Sequence, residues 1–225
     1  MGRLIENIRL RHRAPVFKDR ADAGRQLAES LADYASSGAL VLAIPSGGVP
    51  VAHEIAINLA LEMDVIIVRK VQLPDNTEAG FGAVGPEGEV IFNDRLIKSL
   101  RLSPEAIRQQ VEKTKKVIEA RDLAFRKGKP FPDLKEKTII LADDGLASGY
   151  TMVEAVIFAA KKKAGKIIVA VPTASENSIS FLLPSVDELH CLNVRGYPFA
   201  VAEAYLKWHD LSDDEVISIL APPDS

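Results

Sequence analysis

The sequence predicts an α/β fold in which helices cover both faces of a parallel β-sheet. Short, continuous apolar runs alternate with amphipathic stretches along the chain, and such runs are typical of strands that are buried on both faces. Strands that alternate with helices in this way form β-α-β units. Because ligands of such sheets bind beyond the carboxyl ends of the strands, the segments after the strands are the first candidates for a site.

The first half of the chain predicts a β-α-β unit preceded by a helix. Asp19 stands before an amphipathic stretch with Leu27, Leu31 and Tyr34 on one face, so it is the predicted N-cap. The predicted elements are helix 19–35, strand 39–44, helix 49–61 and strand 65–71. Residues 72–88 are rich in Pro, Gly, Asn and Asp, which predicts a long loop with short strands at 81–84 and 89–93.

The second half continues the alternation. Ser103 and Pro104 begin a helix that extends to about residue 126, because Ser is a preferred N-cap and Pro fits the first helical position. Ser212 and Glu215 have the spacing of a capping box and begin the last helix. The other predicted elements are strands 138–142, 166–172 and 188–194 and helices 150–164, 176–183 and 212–220.

Composition and net charge limit the kinds of partner and cellular location that the protein is expected to have. The 225 residues are 47% hydrophobic and 26% charged, which suits one large globular domain. A formal net charge of -3 gives no global positive field, so a nucleic-acid partner is not expected. No apolar run is long enough to span a membrane, and the single cysteine, Cys191, fits a reducing compartment. We therefore expect a soluble cytoplasmic protein.

The most informative stretch is IILADDGLASGYT, which covers residues 139–151. It begins as a buried strand, places Asp143 beside Asp144 and ends in a turn of small residues before a helix. Small residues let backbone N–H groups approach a phosphate, and a helix N-terminus adds roughly half a positive charge. Two carboxylates beside such a cradle suit a sugar phosphate, whose vicinal hydroxyls are donors. The alternative is a tight turn whose aspartates only cap the helix.

Other acidic or phosphate-binding motifs fit this stretch less well. A phosphatase that forms an aspartyl phosphate would place its aspartates at alternate positions, and Gly145 occupies the second of these. A P-loop would end in Gly-Lys-Ser/Thr, which is absent. A receiver domain would not need the glycine-rich turn.

The stretch resembles the signature with which type I phosphoribosyltransferases bind phosphoribosyl pyrophosphate (PRPP). That signature is a four-residue apolar strand, two acids and a turn that ends Ala-Ser/Thr-Gly-x-Ser/Thr. The resemblance implies that Asp143 and Asp144 bind the ribose hydroxyls and take part in catalysis. It also implies that the turn binds the 5′-phosphate through Gly145, Ala147, Ser148, Gly149, Tyr150 and Thr151.

The segment IPSGGVP at 44–50 resembles the pyrophosphate loop of the same family. The resemblance implies that Ser46, Gly47 and Gly48 bind the diphosphate, although relatives often carry arginine at the position of Ser46. Taken alone, the segment also suits an ordinary turn.

Two more features of the chain resemble the family. Arg69 and Lys70 are predicted at the end of a strand where relatives place cations against the pyrophosphate, and a solvated strand end is the alternative. The loop QLPDNTEAGFGAV resembles the mobile catalytic loop, which would exclude water. Glu78 in this loop is the candidate for acid–base work, and a merely solvated glutamate is the alternative.

The resemblance covers nearly the whole chain and implies a single domain with a Rossmann-like core over about 21–190 and a small hood from 1–20 and 190–225. It implies transfer of the phosphoribosyl group from PRPP to a nitrogen acceptor, with release of pyrophosphate. Mg²⁺ would arrive mainly with PRPP, and Asp143 and Asp144 are its candidate protein ligands. A homodimer is also implied.

The acceptor is the open part of this prediction. Family members that act on 6-oxopurines carry an additional aspartate where Ala147 stands, so the resemblance implies a different small-molecule acceptor, such as another nucleobase. Tyr197 or Phe199 is a candidate for stacking on a ring. A non-catalytic PRPP or nucleotide sensor of the same fold is the alternative function.

Overall fold

The computed structural model of the protein describes residues 2–74 and 76–221 and leaves the side chains of 76–78 outside this description. The strands are β1 (Arg3–Glu6), β2 (Leu40–Ala43), β3 (Glu62–Val65), β4 (Arg69–Leu73), β5 (Asn76–Val84), β6 (Val90–Phe92), β7 (Thr138–Ala142), β8 (Lys166–Ser175) and β9 (Glu188–Arg195). The helices are α1 (Arg20–Ser30), α2 (Gly48–Leu59), α3 (Asp94–Leu100), α4 (Pro104–Arg126), α5 (Tyr150–Lys161), α6 (Glu176–Leu182) and α7 (Asp213–Leu220).

A six-stranded parallel sheet forms the centre of the fold, in the order β1-β9-β8-β7-β2-β3. Alternate side chains of the strands belong to two separate apolar clusters, one on each face. This arrangement confirms the predicted α/β fold class with a parallel sheet. Ala43 of β2 pairs with Ala142 of β7, so the segments that follow these two residues emerge side by side at one edge.

The predicted strand 65–71 is wrong. β3 ends at Val65, and the backbone N–H of Ile66 donates a further hydrogen bond to the carbonyl of Ala43 at 2.9 Å. The chain then leaves the main sheet, and Arg69 begins β4, which belongs to a separate antiparallel sheet of order β4-β5-β6. The apolar residues 66–68 are buried in this connection, and an apolar run alone does not distinguish a strand from a buried connection.

The predicted loop 72–88 also differs from the structure, because β5 occupies 76–84 and pairs with both β4 and β6. The β4–β5 ladder changes register on both sides of Gln72. Such irregular strands show no clean alternation in sequence, and their glycines resemble loop signals. The short strands expected at 81–84 and 89–93 lie within β5 and around β6.

The N-terminal segment contributes directly to the main sheet. β1 pairs in parallel with β9 at one edge, although the sequence assigned residues 1–20 to the hood. The N-caps Asp19, Ser103 and Ser212 are confirmed, and Ser212 and Glu215 form the predicted capping box. In the part of the chain that the structure describes, we find no helix of sufficient length and apolar character to cross a bilayer.

A buried glutamate of α5, Glu154, lies beside the turn between β5 and β6 and near the half-buried Glu89. Glu154 is fully buried, and neither of its carboxylate oxygens has a hydrogen-bond partner among the described residues. A Cβ at Gly85 would lie 2.8 Å from Glu154 Oε1 and 3.1 Å from Glu89 Oε1, so both oxygens approach the same point. Burial, followed by the charge of Glu89, raises the pKa of Glu154 from 4.5 to about 7.

Glu154→Gln should therefore change the pH dependence of stability. Between pH 4.5 and 7 the unfolded wild type loses this proton while the folded protein keeps it, so the wild type becomes less stable as the pH rises. The stability of the glutamine variant relative to the wild type should increase by about 3 kcal/mol across that range. Urea unfolding at several pH values measures this difference, with the exposed Glu119→Gln as control. A difference that stays constant with pH would contradict the prediction.

Candidate functional site

Asp143 and Asp144 follow β7 at the carboxyl edge of the main sheet. The backbone N–H of Asp144 donates to Asp143 Oδ1 at 2.8 Å, which fixes the first carboxylate against the turn. Arg20, the first residue of α1, donates its Nε–H to Asp144 Oδ2 at 2.8 Å. The second carboxylate of the pair is therefore held by a cation from a helix 124 residues away in sequence.

The surroundings of the pair oppose its ionisation. Burial and the charge of Asp144 raise the pKa of Asp143 well above its usual range. Burial also raises the pKa of Asp144, whereas the charge and hydrogen bond of Arg20 lower it. An additional source of positive charge or of hydrogen-bond donors would therefore stabilise the doubly ionised pair, which is the form that accepts hydrogen bonds from a diol.

Arg20 is itself fixed by residues near the C-terminal end of the described chain. Its Nη1 donates to the carbonyl of His209 at 2.9 Å, and its guanidinium carbon lies 3.8 Å from the ring centroid of Trp208. The Tyr205 hydroxyl donates to the carbonyl of Asp144 at 2.5 Å. Sequence reasoning did not assign these residues to the site, because no local pattern shows that 17–20 and 205–209 meet.

The glycine turn after β2 lies against the acid pair. A Cβ at Gly47 would lie 1.9 Å from Asp144 Oδ2, and one at Gly48 would lie 2.6 Å from the carbonyl oxygen of Ala142. Only glycine fits at these two positions without movement of the neighbouring atoms. Ser46 stands between this turn and Pro45, and the Pro45–Ser46 peptide bond is cis. The predicted pyrophosphate loop and the acid pair are therefore in contact.

Cationic side chains lie beside the acid pair in a cavity of about 290 Å³, which we call the acid-pair cavity. Arg69 and Lys70 line it from the start of β4, and Arg121 lines it from α4. Burial and the nearby charge of Arg121 lower the pKa of Arg69. The other lining residues are Ile44, Pro45, Gly47, Val68, Gln72, Asp143, Asp144 and Thr151.

The turn 145–149 carries the chain from β7 into α5. Gly149 has a φ of +79°, a conformation that favours glycine, and a Cβ at Gly145 would lie 2.6 Å from Val201 Cγ1. The backbone N–H of Leu146 donates to the carbonyl of Thr173 at 3.0 Å. The hydroxyl of Ser178 donates to the carbonyl of Ala147. These contacts attach the turn to β8 and α6, which holds it in a fixed position at the start of α5.

A second cavity of about 560 Å³ lies on the other side of this turn, and we call it the aromatic cavity. Tyr197 and Phe199 line it, and the Tyr197 side chain is 98% exposed. Tyr150 packs against Phe181 with ring centroids 5.4 Å apart. The other lining residues are Ala147, Ser148, Ser175, Glu176, Asn177, Ser178, Arg195 and Gly196.

Comparison with known proteins identifies the family to which this geometry belongs. The family description "Phosphoribosyl transferase domain" matches residues 17–182. The chain is a member of the phosphoribosyltransferase family. Two proteins from strains of Mycobacterium tuberculosis, each named "Putative phosphoribosyl transferase", are 36% identical to it over 205 residues. The match covers 91% of this chain and 46% of each relative, so the chain spans about half the length of the curated relatives it matches.

Two solved structures are similar to this fold. TT1426 from Thermus thermophilus matches with a TM-score of 0.74 and 33% identity, over 91% of this chain and 97% of that chain. The AQ2163 protein from Aquifex aeolicus matches with a TM-score of 0.51 and 12% identity, over 83% of this chain and 78% of that chain. The second likeness concerns the fold alone.

Nine of the predicted site residues of this family member line one or other of two cavities beside the turn 145–149, and Gly145 and Gly149 belong to the turn itself. The acid-pair cavity is lined by Gly47, Arg69, Lys70, Asp143, Asp144 and Thr151. The aromatic cavity is lined by Ala147, Ser148 and Tyr150, together with the proposed stacking residues Tyr197 and Phe199. Ser46 and Gly48 flank Gly47, and the side chain of Glu78 lies outside the described residues. Arg20, Arg121 and Trp208 are neighbours of the acid pair or its cavity that the sequence did not reveal.

Proposed function

We propose that the protein transfers the phosphoribosyl group of PRPP to a nitrogen acceptor and releases pyrophosphate. The observation that carries this proposal is the juxtaposition of Asp143 and Asp144 with a glycine turn and three cationic side chains around one cavity. Carboxylates suit the ribose diol, whereas backbone N–H groups and cations suit a diphosphate. Family membership supports the same reaction class.

The two ends of PRPP would be held by different segments. Asp143 and Asp144 would accept hydrogen bonds from the ribose hydroxyls. The turn from Gly145 to Thr151 would bind the 5′-phosphate, because it leads into the N-terminus of the twelve-residue helix α5. Ser46 and Gly47 would present backbone N–H groups to the pyrophosphate. The Gly48 N–H donates to the Ile44 carbonyl at 3.0 Å, so Gly48 would contribute through close approach of its backbone. The rigid attachment of the turn to β8 and α6 keeps these positions fixed, which lowers the entropic cost of binding.

Departure of pyrophosphate leaves positive charge on the ribose ring and negative charge on the leaving group. Arg69, Lys70 and Arg121 would stabilise the leaving group through their positive charge. Asp143 and Asp144 would lie against the ribose, where their charge also favours the cationic ring. Because these are positioned charges rather than proton donors, this part of the reaction requires no general acid.

The acid pair also fits the Mg²⁺ that the resemblance implies. Carboxylate oxygens are ligands that Mg²⁺ prefers, and Asp143 and Asp144 would supply them. Among the described residues, no group of three or more Asp, Glu, His or Cys side chains is placed to hold a metal ion. Substrate and water oxygens would therefore complete the coordination. When bound, Mg²⁺ would neutralise charge on the pyrophosphate.

The aromatic cavity is the proposed acceptor site. It adjoins the turn that would bind the 5′-phosphate, and its aromatic side chains Tyr197 and Phe199 suit a planar ring. Ala147 lines this cavity without a carboxylate, which supports an acceptor other than a 6-oxopurine. The side chain that would manage the acceptor proton is not assigned, and Glu78 stays a prediction.

PRPP binding and turnover test this proposal separately. Calorimetric titration of PRPP with Mg²⁺ should show binding to the wild type and at least a roughly tenfold loss of affinity for Asp143→Asn/Asp144→Asn, because neutral amides bind the diol more weakly. Equal affinities would contradict the ribose assignment. Pyrophosphate release should then be measured with purines, pyrimidines and small amines. Tight PRPP binding without turnover on any of them would favour the sensor instead.

The proposal also includes the cellular compartment, the division of the domain and the oligomeric state. The buried free thiol of Cys191 supports a reducing compartment such as the cytoplasm. The division into a core and a hood, and assembly as a homodimer, rest on the family resemblance. Sedimentation of the purified chain would test the homodimer directly.

A further inference from the structure

We propose that Arg20 is a positioning residue that holds the Asp144 carboxylate in the orientation needed to bind the ribose diol. This inference rests on the proposed function, because it takes the acid pair as the ribose-binding group. Arg20 occupies a segment that resembles no part of the PRPP signature, and it contacts that signature at Asp144. Its role follows from its contacts.

Three contacts fix the Arg20 guanidinium. Nε–H donates to Asp144 Oδ2 at 2.8 Å, Nη1–H donates to the His209 carbonyl at 2.9 Å, and the Trp208 ring lies against the group at 3.8 Å from its centroid. The side chains of Arg20 and Asp144 are only 8% and 14% exposed. Arginine held on three sides has little rotational freedom, so it fixes the direction of the carboxylate that it binds.

Asp144 needs such a partner for two physical reasons. When both carboxylates are ionised, as diol binding requires, the charge of Asp143 repels that of Asp144 and favours rotation of one carboxylate away from the other. Gly47 also leaves room for Oδ2 on one side, since a Cβ there would lie 1.9 Å from this atom. Arg20 donates to Oδ2 and holds this oxygen toward α1. Oδ1 of the same carboxylate accepts no hydrogen bond from Arg20, so it is the oxygen that we propose for the ribose hydroxyl. A defined orientation of Oδ1 is what recognition of a specific hydroxyl requires.

The support of Arg20 extends into a parallel contact between two segments far apart in sequence. The N–H groups of Leu206 and Lys207 donate to the carbonyls of Phe17 and Lys18 at 2.8 and 2.9 Å. This contact places Trp208 and His209 beside Arg20, and it places Tyr205 where its hydroxyl reaches the Asp144 carbonyl. Together the segments 17–18 and 205–207 hold both Arg20 and the backbone of Asp144.

A purely structural role is the competing explanation, because a buried ion pair also affects folding. The two roles differ in a double-mutant cycle. If Arg20 acts on PRPP through Asp144, its replacement will weaken PRPP binding only while Asp144 is a carboxylate. If Arg20 only supports the fold, the loss on its replacement will be the same whichever residue stands at 144.

The test is calorimetric titration of PRPP with Mg²⁺ into the wild type, Arg20→Ala, Asp144→Asn and the double variant. We expect Arg20→Ala to lower the affinity about tenfold or more in the wild-type background and less than about twofold in the Asp144→Asn background. Arg25→Ala is the matched control, since Arg25 lies on the same helix but pairs with Glu54 on an exposed surface. Its affinity should equal that of the wild type.

Thermal melts monitored by circular dichroism establish that each variant is folded before titration. If Arg20→Ala is unfolded, Arg20→Met replaces it, because methionine fills part of the same volume without a hydrogen-bond donor and the same cycle applies. Equal losses in both backgrounds, or no loss in the wild-type background, would overturn the positioning role and leave the proposed function intact. Absence of PRPP binding to the wild type would instead overturn the proposed function and this inference with it.

Discussion

Gly47→Ala should reduce PRPP affinity by about a hundredfold or more, which corresponds to about 2.7 kcal/mol of binding free energy. The new methyl group would lie 1.9 Å from Asp144 Oδ2, far inside van der Waals contact. The carboxylate cannot turn away freely, because Arg20 holds that same oxygen at 2.8 Å. Either the ion pair breaks or the glycine turn moves, and both changes displace groups that we propose to bind PRPP. Calorimetric titration of PRPP with Mg²⁺ measures the loss.

Gly38→Ala is the control for the general effect of adding a methyl group to a glycine. A Cβ at Gly38 would contact no atom within 4 Å, although its φ of +76° imposes backbone strain. This variant should lose about 1 kcal/mol of stability and keep its PRPP affinity. Wild-type affinity in a folded Gly47→Ala variant would contradict the placement of PRPP against the glycine turn and Asp144.

Arg126→Ala should reduce the free energy of unfolding by about 3–5 kcal/mol, as expected when one partner of a buried ion pair is removed. The Arg126 side chain is 4% exposed, and its Nε and Nη2 each donate to a different oxygen of Asp64 at 3.1 Å. Nη2 also donates to the carbonyl of Pro130 at 2.8 Å. Removal of the guanidinium takes these donors from Asp64 of β3 and from the Pro130 carbonyl, although Asp64 Oδ1 keeps the Val65 N–H at 2.7 Å. Urea unfolding measures the loss.

Arg108→Ala on the same helix provides the comparison. Arg108 pairs with Glu105 at 2.6 Å, but its side chain is 70% exposed, so water replaces the interaction at little cost. Its removal should change stability by less than about 1 kcal/mol. Similar losses for the two arginines would show that the contact of Arg126 with Asp64 does not stabilise the junction of α4 with the main sheet.

Four strands of the main sheet, β2, β7, β8 and β9, were predictable because each lies in a largely apolar stretch with clear ends. The edge strands β1 and β3 were not predicted, because they are short and carry charged residues. β7 spans the predicted 138–142, and β8 and β9 begin at the predicted residues 166 and 188. The antiparallel sheet was not predictable in the same way. The predicted strand 65–71 begins with the apolar run 65–68, yet β3 ends at Val65, because the chain passes from one sheet to the other through buried residues. Hydrophobicity reports burial and does not report pairing partners.

In the candidate site, too, residues of a continuous sequence motif were predictable, whereas residues that the fold brings together from distant segments were not. Asp143 and Asp144 were identifiable because the motif that carries them is continuous in sequence. Arg20 and Trp208 were not assigned to the site, because the sequence does not show that their two segments meet beside the acid pair. Their meeting depends on the contact between 17–18 and 205–207. Arg121 was not predicted as a site residue, because it is one of many charged residues along α4.

The position of β9 between β1 and β8 has a consequence for how the molecule folds during synthesis. β1 leaves the ribosome before β9, and β9 is its only neighbour in the described sheet. Residues 3–6 therefore cannot pair until residues 188–195 have been synthesised. Arg20 likewise cannot form its contacts until Asp144, and later Trp208, have been synthesised. Contacts of such large sequence separation form slowly, because long loops must close first. During synthesis the acid pair can therefore gain its full set of partners only after every strand of the described sheet has been made, because Trp208 follows β9 in the chain.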